Sequence, residues 1–225
     1  MEFSEWEPIY EAILSDFGFD RAADEAARDD IAAVAEPFDR DRLDCAGQTV
    51  AVAGAGPSLE AEASVARDAD RVFAASTATD RLADLGVTVD AMVTDLDKNP
   101  ETVVERTDRG SVAVVHAHGD NRDLLAEWLP EIDPTHLLAT TQAAPTDAVA
   151  NFGGFTDGDR AAFLADAVGA AEIEFLGWDF EDPDVTGTKA QKLDWAERLL
   201  ALLERRRGER FAVLDGRRER IDRIE

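Results

Sequence analysis

The chain has 225 residues, enough for one domain with a sizeable core, and its apolar fraction of 45% is ordinary for a globular protein. Its formal net charge of −26 is not ordinary, and it argues against nucleic acid or an anionic membrane as a partner. Cys45 is the one cysteine, which excludes an internal disulfide and fits a cytoplasmic location, as does an acidic N-terminal stretch without an apolar secretory core.

Two helices come first. Trp6, Ile9, Tyr10, Ile13, Leu14 and Phe17 recur at helical spacing up to Gly18, and a second helix is expected over 20–35, before Pro37. These two helices define an arm over residues 1–46. From residue 47 the pattern alternates. Strands are expected over 49–53, 72–75, 90–94, 111–115, 135–139 and 173–176. Helices are expected from Leu59, over 78–85, from Pro100, over 121–129, up to Val168 and over 189–207. This alternation predicts an α/β fold over 47–207: a Rossmann-like, mostly parallel sheet with helices on both faces. Residues 208–225 read as a charged tail or an extra edge strand.

In such a sheet, ligands bind past the carboxyl ends of the strands, and the polar groups of this chain gather there. The third strand runs into Thr94-Asp95-Leu96-Asp97. Alternate side chains share a strand face, so Asp95 and Asp97 are expected to converge on a cation, with Mg²⁺ and substrate phosphates as the usual solution. The competing reading is a capped turn before Pro100. The first strand ends in Gly54-Ala55-Gly56-Pro57-Ser58, a turn that suits a phosphate or merely a tight strand-to-helix connection. It lacks a third glycine and a following lysine, so neither dinucleotide fingerprint nor P-loop is complete. The fourth strand ends in His116-Ala117-His118-Gly119-Asp120-Asn121. Its imidazoles could ligate a transition metal with Asp120; the plainer reading has His118, Asp120 and Asn121 as polar groups holding substrate or a metal-bound water. In Asn151 to Arg160, glycines surround acids and a threonine; Phe155 could stack on a heterocycle and Asp157 could bond a ring amidine, while Asp157 or Asp159 could instead cap a helix. Asp179 follows the sixth strand. Lys189 and Lys192, two of only three lysines, share a helix face near its N-terminus, where the dipole disfavours cations. A phosphate between them would resolve both oddities.

Together these motifs resemble the archaeal 6-hydroxymethyl-7,8-dihydropterin pyrophosphokinases, the MptE-like proteins that carry the domain of unknown function numbered 115. The resemblance runs in order over roughly residues 1–207, and Lys98 departs from its pattern, where a small residue is expected. It implies a core related to thiamine pyrophosphokinase and transfer of a diphosphoryl group from ATP to a pterin alcohol, with Mg²⁺ and release of AMP, for folate-type or methanopterin-type cofactors. On that reading Asp95 and Asp97 hold the metal, and Asp120 and His118 are candidate bases. Gly54, Gly56, Pro57, Ser58, Lys189 and Lys192 seat ATP, and Asn151, Phe155, Asp157 and Asp179 face the pterin. A homo-oligomer is compatible with all of this. The rival is a metal-dependent glycosyltransferase using a nucleotide sugar, because Asp-x-Asp and Gly-x-Gly-Pro-Ser-Leu also occur in that setting.

The acidic residues are spread along the chain, and Arg supplies nearly all the positive charge. A diffuse acidic surface of this kind resembles proteins adapted to high intracellular salt, as in a haloarchaeon, where screening suppresses self-repulsion. The unfolding midpoint should therefore climb as KCl is raised from millimolar to molar. A midpoint that stays flat across that range would remove the argument for salt adaptation.

Overall fold

The computed structural model describes residues 1–224. Its strands are β1 (Thr49–Ala53), β2 (Arg71–Ala75), β3 (Ala91–Thr94), β4 (Val112–Ala117), β5 (Leu137–Thr141) and β6 (Glu172–Leu176). They form one six-stranded parallel sheet in the order β5-β4-β3-β2-β1-β6. The α-helices are α1 (Phe3–Phe17), α2 (Arg21–Ala32), α3 (Ala63–Asp68), α4 (Ala78–Asp84), α5 (Pro100–Asp108), α6 (Arg122–Trp128), α7 (Asp157–Ala167) and α8 (Thr188–Arg207). The expected α/β architecture is what forms, preceded by the two expected N-terminal helices. No described helix is long and apolar enough to cross a membrane.

The chain forms two compact units that do not follow chain order. The first joins Met1–Arg42 to Asp90–Gly153; the second joins Leu43–Val89 to the chain from Gly154 onward. In the first unit every residue of β3, β4 and β5 is buried. Strands covered on both faces read as continuous apolar runs, and these do. Met92, Val115 and Ala139 pack with Ala27 and Ile31 of α2, Val103 of α5 and Leu125 of α6. Helix α1 buries Trp6, Ile9, Tyr10, Ile13 and Leu14. It stops where Gly18 takes a left-handed φ of 68° and donates its N–H to the Leu14 carbonyl.

In the second unit Ala51, Ala53, Val72, Ala74 and Leu176 pack with Ala63 and Ala66 of α3 and with Ala78 and Leu82 of α4. The opposite strand parity, Val50, Val52 and Phe73, is buried too, and α7 packs against β1 and β2. Nearly the whole of α7 is buried, so it shows little amphipathic contrast.

Three expectations shift. β5 begins at Leu137 rather than Thr135, because Pro134–His136 make a 3-10 turn whose Thr135 N–H is capped by the Asp133 carboxylate at 2.9 Å. The helix after β1 begins at Ala63 rather than Leu59; residues 57–62 run as turns, and the Glu62 carboxylate at their end accepts the Gly177 N–H at 2.8 Å. Ala212–Leu214 form a 3-10 turn, not an edge strand, and both Phe211 and Leu214 are buried.

Of the two acids offered as caps for α7, Asp159 is the one that closes a capping box with Thr156. Its Oδ1 accepts the N–H groups of Phe155 and Thr156 at 3.2 and 2.5 Å and the Thr156 hydroxyl at 2.9 Å. Its Oδ2 is buried with no hydrogen-bond partner among the described residues. Burial raises its pKa from the ordinary 3.8 to about 6, against the pull of the neighbouring Arg160 charge and of these hydrogen bonds. A proton is thus held more tightly in the folded state. This contribution is fully present below the unfolded value of 3.8 and is lost as pH rises through about 6. Asp159→Asn removes that dependence. The stability of the variant relative to the parent should rise between pH 4 and 6 in denaturant titrations, and a constant difference would contradict the assignment.

Candidate active site

β3 ends at Thr94, whose hydroxyl accepts the Leu96 N–H at 3.0 Å. Leu96 then adopts φ 68°, the left-handed region that a branched side chain rarely enters. That conformation costs on the order of 1–2 kcal/mol. Leu96 is 1% exposed in the core of its unit, and full burial of a leucine contributes about 1.5–3 kcal/mol, enough to offset the strain. So the leucine points inward, and the aspartates on either side point away from the core. They are linked through this turn, side chain to backbone, rather than by sharing a strand face. The Asp95 carboxylate accepts the Asp97 N–H at 3.2 Å, and its side chain is 21% exposed against 46% for Asp97. The Lys98 ammonium lies 3.7 Å from the Asp97 carboxylate.

The loop after β4 carries His118, Asp120 and Asn121. His118 Nδ1 accepts the Asp120 N–H at 3.3 Å, so the neutral ring carries its proton on Nε2. That nitrogen sits 3.4 Å from Asp95 Oδ2, which gives His118 a donor's part toward the carboxylate. Asp120 is exposed and lines a cleft with Asp29, Asp30 and Arg122. His116 is buried in β4, with Nδ1 3.1 Å from the Thr140 hydroxyl. Among the described residues no group of three or more His, Cys, Asp or Glu is placed to hold a metal ion. The transition-metal reading of the two imidazoles therefore finds no ligand set. Two hard carboxylates do fit Mg²⁺, which takes one or two from the protein and completes its shell with water and phosphate.

Asn121 is the residue sequence reasoning undervalued. Its amide nitrogen donates to the Asp95 carbonyl at 2.9 Å and the His116 carbonyl at 2.7 Å, and its Oδ1 accepts the His118 N–H at 3.0 Å. It ties the end of β3 to the end of β4. Asn151 has a similar task after β5. It donates to the carbonyls of Gln142 and Ala143 at 3.0 and 2.8 Å and accepts the Gly153 N–H at 2.8 Å.

In the second unit the glycine turn is shaped by close backbone approach. A Cβ on Gly54 would lie 2.6 Å from the Gly177 carbonyl oxygen. Gly54 and Gly56 donate to the carbonyls of Leu176 and Gly177, each at 2.9 Å. Asp179 Oδ2 accepts both the N–H and the hydroxyl of Ser58 at 2.9 Å, the very groups expected to face an anion. Arg81 donates to the carbonyls of Ala55 and Gly56 at 2.7 and 3.0 Å, which puts a guanidinium against this turn. Pro57, Trp178, Asp179 and Phe180 line a neighbouring cleft of about 440 Å³. Phe155 is buried, with the Lys192 ammonium 5.7 Å from its ring centroid, while Lys189 is exposed. Asp157 lies 3.2 Å from the Arg160 guanidinium. The structure thus joins Asp95, Asp97 and His118 in one constellation, Gly54, Gly56, Ser58 and Asp179 in another, and Phe155 with Lys192 in a third.

Comparison with known proteins bears on what these constellations serve. The family described as 6-hydroxymethylpterin diphosphokinase MptE-like matches residues 26–185. A 6-hydroxymethyl-7,8-dihydropterin pyrophosphokinase of Methanothermobacter thermautotrophicus is 40% identical over 91% of this chain and 96% of its own. The enzyme of that name from Pyrococcus furiosus is 42% identical over 80% of this chain and 79% of its own. The one from Methanocaldococcus jannaschii is 31% identical over 80% of each chain. With a strand-end pair of carboxylates, a parallel α/β sheet and similarity over nearly its whole length, the chain belongs to the MptE-like family of 6-hydroxymethylpterin diphosphokinases.

Proposed function

We propose that this chain transfers a diphosphoryl group from ATP to the hydroxymethyl oxygen of 6-hydroxymethyl-7,8-dihydropterin, with Mg²⁺, releasing AMP. The observation that carries the reading is the 40% identity over 91% of the chain to a relative of that name. The Asp95–Asp97 turn supplies chemistry that suits it. The pterin hydroxyl gives up its proton, with Asp120 and His118 as the candidate acceptors, and its oxygen attacks the β-phosphorus; the bond from that phosphorus to the oxygen retained by AMP breaks, and negative charge collects on that oxygen. Such transfers depend mainly on positioning and charge neutralisation. Asp95 and Asp97 would hold Mg²⁺, which supplies neutralisation of phosphate-oxygen charge when bound. His118 orients Asp95 by donating to it, and Asn121 fixes the backbone on which Asp95 stands.

A polyphosphate must approach a chain of net charge −26, so the few local cations carry weight. Lys189 and Lys192, at the start of α8, are assigned to the phosphates; a compact ammonium suits a point contact of this kind. The Gly54–Ser58 turn is assigned to the nucleotide, and the segment from Asn151 to Asp157, with Asp179, to the pterin. The product would enter folate-type or methanopterin-type cofactor synthesis. The relatives from Methanothermobacter, Pyrococcus and Methanocaldococcus all bear the pterin enzyme's name, which favours this reading over a nucleotide-sugar transferase.

The purified protein, incubated in high salt with ATP, Mg²⁺ and the pterin, should yield AMP and pterin diphosphate; ADP as the nucleotide product would refute the reaction. Asp95→Asn and Asp97→Asn should each abolish metal-dependent turnover while retaining a cooperative melt. Full activity in both would sink the metal assignment. Lys189→Ala or Lys192→Ala should lose about 1.5–3 kcal/mol of ATP binding or transition-state stabilisation, with pterin affinity measured without nucleotide unchanged. Normal ATP kinetics in both would move the phosphate site elsewhere.

A further inference from the structure

Asp24, on α2, is 3% exposed, and a buried carboxyl is costly unless its oxygens are bonded. Its Oδ2 accepts the Tyr10 hydroxyl and the Gln142 side-chain amide, both at 2.7 Å. Burial and the adjoining Asp24 raise the Tyr10 pKa, so the phenol stays a donor. Those two bonds suffice to join α1, α2 and the end of β5. The third does something else: Asp24 Oδ1 accepts the Gly119 N–H at 2.8 Å. Gly119 sits between His118, which faces Asp95, and Asn121, which holds the Asp95 carbonyl. A Cβ on Gly119 would lie 2.7 Å from the Ala23 Cβ, so α2 and this loop are in tight contact as well as bonded.

We propose that Asp24 is a positioning residue for the Asp95 carboxylate, acting through the 118–121 loop. The inference rests on the proposed role of Asp95 in holding a divalent cation. An acid serving only to glue helices has no need of a bond to a strand-end loop, and an apolar contact would pack those helices without burying a carboxyl. Outer groups that orient a metal ligand characteristically change metal affinity by about ten- to a hundredfold when removed.

The test is Mn²⁺ binding to the full chain without nucleotide, read from the loss of the free-ion EPR signal. Asp24→Asn, close to isosteric, should weaken binding at least tenfold. Gly119→Ala, whose Cβ would press on the Ala23 Cβ at 2.7 Å while standing at an ordinary contact distance of 3.5 Å from Asp24 Oδ1, displaces the loop with the acid itself unchanged and should do the same. Ile31→Val, a core change on the same helix, should lower the melting midpoint and leave Mn²⁺ affinity as it was. Asp24→Asn should also lower kcat at saturating metal while the KM for the pterin holds. Cooperatively melting Asp24→Asn and Gly119→Ala proteins with parental Mn²⁺ affinity would overturn the proposal. A parent protein that binds Mn²⁺ no better than Asp95→Asn would overturn the metal reading beneath it. The AMP assay on the parent judges the functional reading separately.

Discussion

A strand buried on both faces can present polar side chains only beyond its ends. β3, β4 and β5 are buried along their whole length, so chemistry in that unit is confined to the loops beyond Thr94, Ala117 and Thr141. The turn at Leu96 is the sharpest consequence. A leucine placed in the left-handed region is held there by the core it fills, and its two aspartate neighbours are thereby turned outward. Two further strand-end groups of the unit, His118 and Asn121, are arranged around that turn.

The acids at the strand ends and helix starts divide by environment. Asp24, Asp159 and Asp179 each accept hydrogen bonds from nearby backbone and side-chain donors, Asp159 through Oδ1 alone. A bond of that kind to an ionised group stabilises by roughly 1.5–3 kcal/mol, and losing it would free a loop rather than a ligand. Asp95 and Asp97 keep part of their surface open to solvent and are the pair whose mutual repulsion a cation would relieve. An Asp at a strand end is therefore not by itself a site; what separates the two classes is how much of the carboxylate stays open to solvent.

The acidic composition acts on a different level. Much of the structural pairing of carboxylates falls to arginine: Arg21 bridges Glu7 and Glu25 at 2.6 and 3.1 Å, and Arg207 bridges Asp166 and Glu209 at 2.8 and 2.6 Å. The planar guanidinium spans two acids at once, which an ammonium does less well. Pairs at the surface contribute about 0–1 kcal/mol and are screened further by salt. Stability that survives screening by salt then lies mostly in the two apolar cores.

The sequence by itself determined the alternation of strands and helices, the stop of α1 at Gly18, the placing of Asp95 and Asp97 past a strand end, and the likeness to the MptE-like proteins. Each is a local signal: a hydrophobic period, a residue tolerant of positive φ, a short motif in order. The tertiary structure alone decided that a left-handed leucine fills the core between Asp95 and Asp97, that Asp179 caps Ser58 and that Asn121 joins two strands. It also revealed Asp24, which nothing along the chain marks out. The reason is distance: the bond from Gly119 to Asp24 spans 95 residues and that from Ser58 to Asp179 spans 121. Periodicity tells which face of an element is buried, but the partner that satisfies a buried polar group is fixed only when the chain has folded.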